Sequence, residues 1–220
     1  MARFSALIFD FDGTVAYTAP DVWEAVEAGT MTFGKKVPPE YRADPRNLSL
    51  PVRRIFEDCA GRPLSDTELR TAAAALSRLY GRDTTYSSTV LYPGMDELLD
   101  RAKEEHLATG IVTRKSARSL ERILRMKGWD HWFDMWYGSE SLGGGLTKAE
   151  LIYGLIRDMP GCENPVYIGD SAGDIEAARE AGVPSIAVTY GDGDTEKLLS
   201  AGAGKVCYSV PDVYMWLYNC

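Results

Sequence analysis

Two kinds of hydrophobic pattern alternate along most of this chain. The first is a short, almost continuously apolar run rich in β-branched and aromatic residues, which is typical of a strand buried on both faces of a parallel sheet. The second places apolar residues three and four positions apart, as Leu98, Leu99 and Ala102 are, and predicts an amphipathic helix. The predicted strands cover residues 6–11, 108–113, 133–138, 165–170, 184–190 and 205–210.

Predicted helices separate these strands from residue 94 onward. Ser116 and Gly128 bound one of them, as an N-cap serine and a C-terminal glycine. Strands that alternate with helices in this way indicate an α/β fold, with a doubly wound, mostly parallel sheet of the Rossmann-like type. The helices cover residues 94–105, 116–128, 147–159 and 172–182.

Residues 16–90 interrupt this alternation, because they contain helical patterns and no strong strand signal. One of these helices starts with a capping box formed by Ser65 and Glu68. The pattern predicts an inserted all-helical cap domain over residues 16–90 and a Rossmann-like core made of residues 1–15 and 91–220. Because the insertion follows the carboxyl end of the first strand, we expect the cap to lie over the edge where open α/β sheets bind ligands.

Carboxylates stand where two of the buried strands end. Asp10 and Asp12 close the first strand, and because side chains alternate along a strand, both should point the same way. Asp170 ends a later strand, and Asp174 lies at the start of the next helix. Parallel strands end at one edge of a sheet, so these four charges would repel one another unless a cation lay among them. A hard, oxygen-preferring ion fits best, and the pattern predicts Mg²⁺ bound by these four aspartates.

Residues that suit an anion occur at corresponding places. Thr113 ends a strand, where its hydroxyl and the following backbone N–H groups are placed to hold an anion near the helix that begins at Ser116. Lys148 begins another helix after the glycine-rich loop 143–145. Its ammonium would neutralise either a phosphate or a nucleophile.

Several motifs resemble those of the haloacid dehalogenase superfamily. In order along the chain they are "DFDGT", "VT" before a helix, a lysine that begins a helix, and "GDSAGD" followed by "AAREAG". The likeness extends over nearly the whole chain, including "YPGMDELL". Within the superfamily, the chain resembles the phosphoglycolate phosphatase-like branch with a helical cap. Many relatives follow the threonine with Asn, where this chain has Arg114 and Lys115, and have prolines around the lysine, where it reads "LTKAEL". Arg114 would then contact the substrate near the phosphate.

The resemblance implies a role for each matched residue. Asp10 would attack phosphorus and become an aspartyl phosphate. Asp12 would act as general acid and then as base, and its backbone carbonyl would reach the metal. Thr113 and Lys148 would hold the phosphoryl oxygens, while the later acidic pair would ligate Mg²⁺ or support its ligation. Dehalogenation is not expected, because the dehalogenase branch lacks an aspartate where this chain has Asp12.

The composition limits the classes of molecule that the protein is expected to bind. A formal net charge of −8 leaves no basic surplus for binding nucleic acid or an anionic membrane. No segment approaches the ~18 apolar residues needed to span a bilayer. The four cysteines and two histidines form no zinc-ligand spacing, so free thiols in a reducing, cytoplasmic compartment are expected. The expected partner is a small phosphorylated metabolite, and the sequence is compatible with a monomer or a homodimer.

The leading interpretation is a Mg²⁺-dependent phosphatase acting on a phosphoglycolate-like compound, a sugar phosphate or a nucleotide. A phosphomutase of the β-phosphoglucomutase type shares the pattern and differs in where the phosphoryl group goes next. A signalling receiver domain also has an acidic pocket, but it is much shorter and has no second acidic pair late in the chain. A non-catalytic binding scaffold is disfavoured, because the chain retains every charge that the chemistry requires.

Overall fold

The chain forms one six-stranded sheet and one two-stranded sheet in the computed structural model, which describes residues 3–218. The strands are β1 (Ala6–Phe9), β2 (Ala16–Tyr17), β3 (Val90–Leu91), β4 (Ala108–Val112), β5 (Met135–Tyr137), β6 (Pro165–Gly169), β7 (Ser185–Val188) and β8 (Lys205–Cys207). The larger sheet has the order β5-β4-β1-β6-β7-β8 with parallel neighbours, and β2 pairs with β3. The predicted doubly wound α/β sheet is confirmed, with strands somewhat shorter than the apolar runs.

The first strand lies in the middle of the larger sheet, between β4 and β6. Phe9 is level with Ile111 on one side and with Ile168 on the other. The N–H of Asp10 donates to the carbonyl of Ile168 at 2.9 Å, which extends the ladder one residue beyond β1. The register therefore brings the carboxyl ends of β1, β4 and β6 to the same place.

Helices cover the larger sheet. The α-helices of the chain are α1 (Ala19–Met31), α2 (Pro39–Arg42), α3 (Val52–Ala60), α4 (Asp66–Arg78), α5 (Met95–Glu104), α6 (Ala117–Lys127), α7 (Lys148–Asp158), α8 (Ala172–Glu180), α9 (Thr195–Ser200) and α10 (Val210–Tyr218). The four helices predicted between the main strands are present as α5 to α8. In one buried cluster, Leu151 and Leu155 of α7 pack with Ile8 and Tyr167 of the sheet, so this face is closed to water.

Residues Thr18–Val90 form a compact unit of their own, and the other described residues form a second unit around the six-stranded sheet. Trp23 of α1 and Phe56 of α3 belong to the buried cluster of the smaller unit. The two helices approach closely at Gly29, where a Cβ would lie 2.6 Å from the Phe56 ring. The capping box predicted for α4 is present, with Ser65 as its N-cap.

The two ends of the smaller unit are joined. The hydroxyl of Thr89 donates a 2.6 Å hydrogen bond to Oδ2 of Asp21, and both side chains are buried. The pairing of β2 with β3 lies next to this bond in the sequence. The first and last residues of the unit are therefore neighbours in space.

Two further expectations from the sequence concern free thiols and the lack of a membrane-spanning segment. Cys59, Cys162 and Cys207 are buried free thiols, while Cys220 lies outside the described residues. Among the helices between residues 3 and 218, none combines the length and apolarity needed to cross a bilayer.

Candidate active site

Three buried carboxylates meet at the carboxyl edge of the six-stranded sheet. Asp10 directly follows β1, Asp170 directly follows β6, and Asp174 lies in the first turn of α8. One oxygen of each lies within 4.8 Å of the others. The structure thus brings together three of the four aspartates that the sequence suggests as metal ligands, and they are called the carboxylate cluster below.

Lys148, the first residue of α7, supplies a positive charge to the carboxylate cluster. Its ammonium lies 3.1 Å from Oδ1 of Asp10 and forms a hydrogen bond with Oδ1 of Asp174. Burial lowers the pKa of Lys148, but the attraction of the two carboxylates outweighs burial and holds the pKa above its ordinary value. Three carboxylates and one ammonium leave a formal charge of −2 in this buried place.

Asp10 has an oxygen that no hydrogen bond satisfies. Its Oδ1 is buried, and the nearby ammonium of Lys148 is not aligned with it as a hydrogen-bond donor. Burial raises the pKa of Asp10 to about 6, against the attraction of Lys148. Burial also raises the pKa of Asp170, and the repulsion of Asp174 adds to it. A buried carboxylate oxygen without a hydrogen bond, a set of oxygen donors only and a surplus of negative charge all fit a hard divalent cation such as Mg²⁺.

Asp174 has partners on both of its oxygens. Its Oδ2 accepts hydrogen bonds from the backbone N–H and the hydroxyl of Ser171, at 3.0 and 2.6 Å, which completes a capping box at the start of α8. Its Oδ1 accepts from Lys148 and from the phenol of Tyr167. The contacts of Asp174 therefore favour support of the cluster, through Lys148, over full ligation of a metal.

The loop that follows β7 holds Asp170. The backbone N–H groups of Asp192 and Gly193 donate to its Oδ2 at 2.9 and 3.1 Å, and the hydroxyl of Thr14 lies 3.3 Å from its Oδ1. The space around this carboxylate is small, because a Cβ on Gly13 would lie 2.2 Å from Oδ2. The run "YGDGD" follows the buried strand β7 next to β6, and this position is the signal that identifies the loop.

Asp12 lies outside the carboxylate cluster, with about a third of its side chain exposed (33%). Its Oδ1 is 3.0 Å from the ammonium of Lys115, a residue that no sequence pattern indicates. The expectation that the Asp10 and Asp12 side chains point the same way assumes a strand through both residues, but β1 ends at Phe9. The chain then turns at Gly13, which has a φ of +76°, and the carboxylate of Asp12 contacts Lys115.

Thr113 and Arg114 follow β4 at the same edge of the sheet. Thr113 is buried, and its Oγ1 accepts a hydrogen bond from the backbone N–H of Lys115 at 3.3 Å. Arg114 is exposed. Of the three residues predicted to bind phosphate, Thr113 and Lys148 are therefore buried at the sheet edge and Arg114 is at the surface.

A side chain of the protein occupies the N-terminal end of α6. Glu140 accepts hydrogen bonds from the hydroxyl of Ser116 at 2.7 Å and from the N–H of Ala117 at 3.0 Å. Burial raises the pKa of Glu140, but these hydrogen bonds outweigh burial and lower it to about 2. Glu140 thus supplies the negative charge that the helix dipole attracts, and the first N–H groups of α6 are not open to a phosphate.

Comparisons with a family model and with individual proteins agree on one family. The family model described as haloacid dehalogenase-like hydrolase matches residues 7–188. The phosphoglycolate phosphatase of Haemophilus influenzae is 29% identical over 86% of this chain and 87% of its own length. That of Psychrobacter arcticus is 33% identical over 84% of this chain and 83% of its own length.

The fold also has solved counterparts. A haloacid dehalogenase-like family hydrolase from Streptococcus pneumoniae matches with a TM-score of 0.83 at 23% identity, covering 97% of this chain and 98% of that one. At this identity the likeness shows a shared fold and nothing finer.

Proposed function

This chain belongs to the haloacid dehalogenase-like hydrolase family and is a phosphatase, and we propose that it hydrolyses a small phosphorylated metabolite in a Mg²⁺-dependent reaction. The observation that carries the proposal is the carboxylate cluster, whose oxygens lie within 4.8 Å of one another beside a buried ammonium. Phosphoryl transfer needs a positioned nucleophile and positive charge around the phosphoryl oxygens. The carboxylate cluster with Lys148 suits both needs.

Asp10 and Asp170 would hold Mg²⁺, with support from Asp174 and, as the family resemblance implies, from the backbone carbonyl of Asp12. When bound, the ion would neutralise charge on the phosphoryl oxygens. The unsatisfied Oδ1 of Asp10 and the formal charge of −2 support this assignment.

The residues of the chain would act in two steps. First, a carboxylate oxygen of Asp10 forms a bond to phosphorus as the bond to the leaving oxygen breaks, and Asp12 gives its proton to that oxygen, which departs as an alcohol. Second, Asp12 takes a proton from water while the water oxygen bonds to phosphorus, and the bond to Asp10 breaks to release inorganic phosphate. Lys148 and the Thr113 hydroxyl would hold the phosphoryl oxygens, and Arg114 would contact the substrate nearby.

The names of the two relatives make 2-phosphoglycolate the first substrate to test, with sugar phosphates and nucleotides beside it. The free buried thiols support a reducing, cytoplasmic location. The formal charge of −8 supports a partner that is neither nucleic acid nor an anionic membrane. Monomer and homodimer both fit this proposal.

The experiment is a phosphate-release panel over these compounds with Mg²⁺, run on the wild type, Asp10→Asn and Asp130→Asn. Asp10→Asn keeps the size of the side chain and removes the attacking charge, so it should lose essentially all turnover while its circular dichroism spectrum is unchanged. Asp130 is exposed on the surface, and Asp130→Asn should match the wild type. Turnover that survives in Asp10→Asn would refute the proposed nucleophile. Isomerisation of a hexose phosphate without phosphate release would identify a mutase instead.

A further inference from the structure

Two buried lysines reach the site, and they serve different carboxylates. Lys148 contacts Asp10 and Asp174 of the carboxylate cluster. Lys115 instead places its ammonium 3.0 Å from Oδ1 of Asp12, and its own side chain is only 7% exposed. The ion pair therefore joins the residue two positions after the nucleophile to the loop that follows β4.

The main chain of Lys115 is anchored on both sides. Its N–H donates to Oγ1 of Thr113 at 3.3 Å, and its carbonyl accepts from the N–H of Ser139 at 2.9 Å. The loop after β5 packs closely here, since a Cβ on Gly138 would lie 2.6 Å from the carbonyl oxygen of Lys115. A buried side chain that starts from a fixed backbone has few alternative rotamers, so the position of its ammonium is well defined.

We propose that Lys115 is a positioning residue for Asp12, and that its ammonium holds the Asp12 carboxyl in the orientation in which it exchanges a proton with the leaving oxygen. The inference rests on the proposed function, which makes Asp12 the proton donor. A general acid acts only within hydrogen-bond reach of the atom that receives its proton. Asp12 is partly exposed and lies outside the carboxylate cluster, and the ammonium of Lys115 contacts one of its two carboxylate oxygens.

The proton exchange itself is the one already described. As the bond between phosphorus and the ester oxygen breaks, its electron pair stays on that oxygen, which takes the proton of Asp12 and leaves as an alcohol. Lys115 keeps all its protons throughout and faces the carboxylate that remains. Its contribution therefore depends on how strongly the leaving oxygen needs a proton. An alkoxide is strongly basic and needs one, whereas p-nitrophenolate departs without it.

The test first identifies which alkyl monoester the wild type hydrolyses fastest among 2-phosphoglycolate, glycerol 2-phosphate and glucose 6-phosphate. It then compares kcat/KM for that ester with kcat/KM for p-nitrophenyl phosphate. Lys115→Met should lower kcat/KM for the alkyl ester by about 30-fold or more, a part of the roughly 10²–10⁴-fold that a general acid contributes. The value for p-nitrophenyl phosphate should fall by less than about threefold, because the proton matters little there. Lys115→Arg keeps a cation and should recover most of the loss on the alkyl ester.

Lys127→Met is the matched control, because it removes the same charge at the last residue of α6, away from the sheet edge that holds the site. It should leave both kcat/KM values unchanged. Should Lys115→Met fail to fold by circular dichroism, Lys115→Gln takes its place with the same expectations. An equal loss on both substrates, or no loss on either, would overturn the positioning role. A wild type that hydrolyses none of these esters, or an Asp10→Asn variant that still turns over, would instead refute the proposed function and this inference with it.

Discussion

The ammonium of Lys148 lies 3.1 Å from Oδ1 of Asp10 without the alignment of a hydrogen bond. The same ammonium is bonded to Asp174, so one carboxylate fixes its position while it neutralises another. The Asp10 oxygen therefore has a positive charge beside it and accepts no hydrogen bond of good geometry. This state suits the oxygen that the proposed function assigns to Mg²⁺, because a metal ligand uses a lone pair that accepts no proton.

Lys148→Met should destabilise the fold when divalent cations are absent. The three carboxylates would then face one another without a cation, and removing one partner of a buried ion pair costs about 3–5 kcal/mol. Urea unfolding in EDTA measures this loss. Lys103→Met removes a partly exposed ammonium that lies 2.7 Å from Asp134, and it should cost less than about 1 kcal/mol. Similar losses in the two variants would contradict the role given to Lys148.

Mg²⁺ should raise the melting temperature of the wild type relative to EDTA. A ligand at 100 times its Kd stabilises the folded state by about 2.7 kcal/mol. Asp170→Asn removes a charge from the carboxylate cluster and should abolish most of the response, whereas Asp134→Asn, outside the cluster, should keep it. Thermal scans of the three proteins with and without Mg²⁺ measure the effect. A full response in Asp170→Asn would place the ion elsewhere.

Gly13→Ala should be more damaging than Gly128→Ala. Both glycines have a positive φ, +76° and +69°, so both substitutions bear the left-handed backbone penalty of about 1–2 kcal/mol. At Gly13 the new methyl group would also lie 2.2 Å from Oδ2 of Asp170, while at Gly128 it would meet no atom within 4 Å. Gly13→Ala should therefore lose additional stability and its response to Mg²⁺. Urea unfolding and the thermal scans would show equal behaviour of the two variants if the space around Asp170 were unimportant.

Glu140→Gln should produce a loss of stability that depends on pH. The folded pKa of about 2 lies below the ordinary value of 4.5, so the carboxylate stabilises the fold above about pH 4.5, and this contribution disappears as the pH falls through the folded pKa. At neutral pH the loss of this helix cap should cost about 1 kcal/mol. The difference between wild type and variant should shrink as the pH is lowered from about 4.5 to about 3. Urea unfolding across this range tests it, with the exposed Glu163→Gln as control, and a constant difference would contradict the cap.

Strand ends and helix starts made much of the site predictable. Apolar runs locate β1 and β6, and parallel strands end at one edge, so the meeting of Asp10 and Asp170 follows from the sequence pattern. Asp174 and Lys148 occupy first turns of helices whose positions the same pattern gives. These residues owe their places to regular elements, whose geometry is set by local periodicity.

The remaining parts of the site lie in turns between elements. Asp12 follows the end of β1, and its pairing with Lys115 depends on a turn and on a loop that follows a different strand. Glu140 lies in a loop and contacts the start of α6 at Ser116, 24 residues away in the chain. Loop backbones follow no period, so such contacts are determined by tertiary packing and have no signature in the sequence around either residue.

The bond from Thr89 to Asp21 brings the two ends of the helical insertion together. Bringing the two ends of a long flexible loop together costs conformational entropy. An insertion whose own ends meet through its internal contacts adds little to this cost when the strands on either side of it pair. Such a segment can be lengthened, shortened or exchanged for another without redesign of the strands that carry the chemistry. The insertion can thus change as one continuous piece of gene, while the aspartates at the strand ends stay as they are.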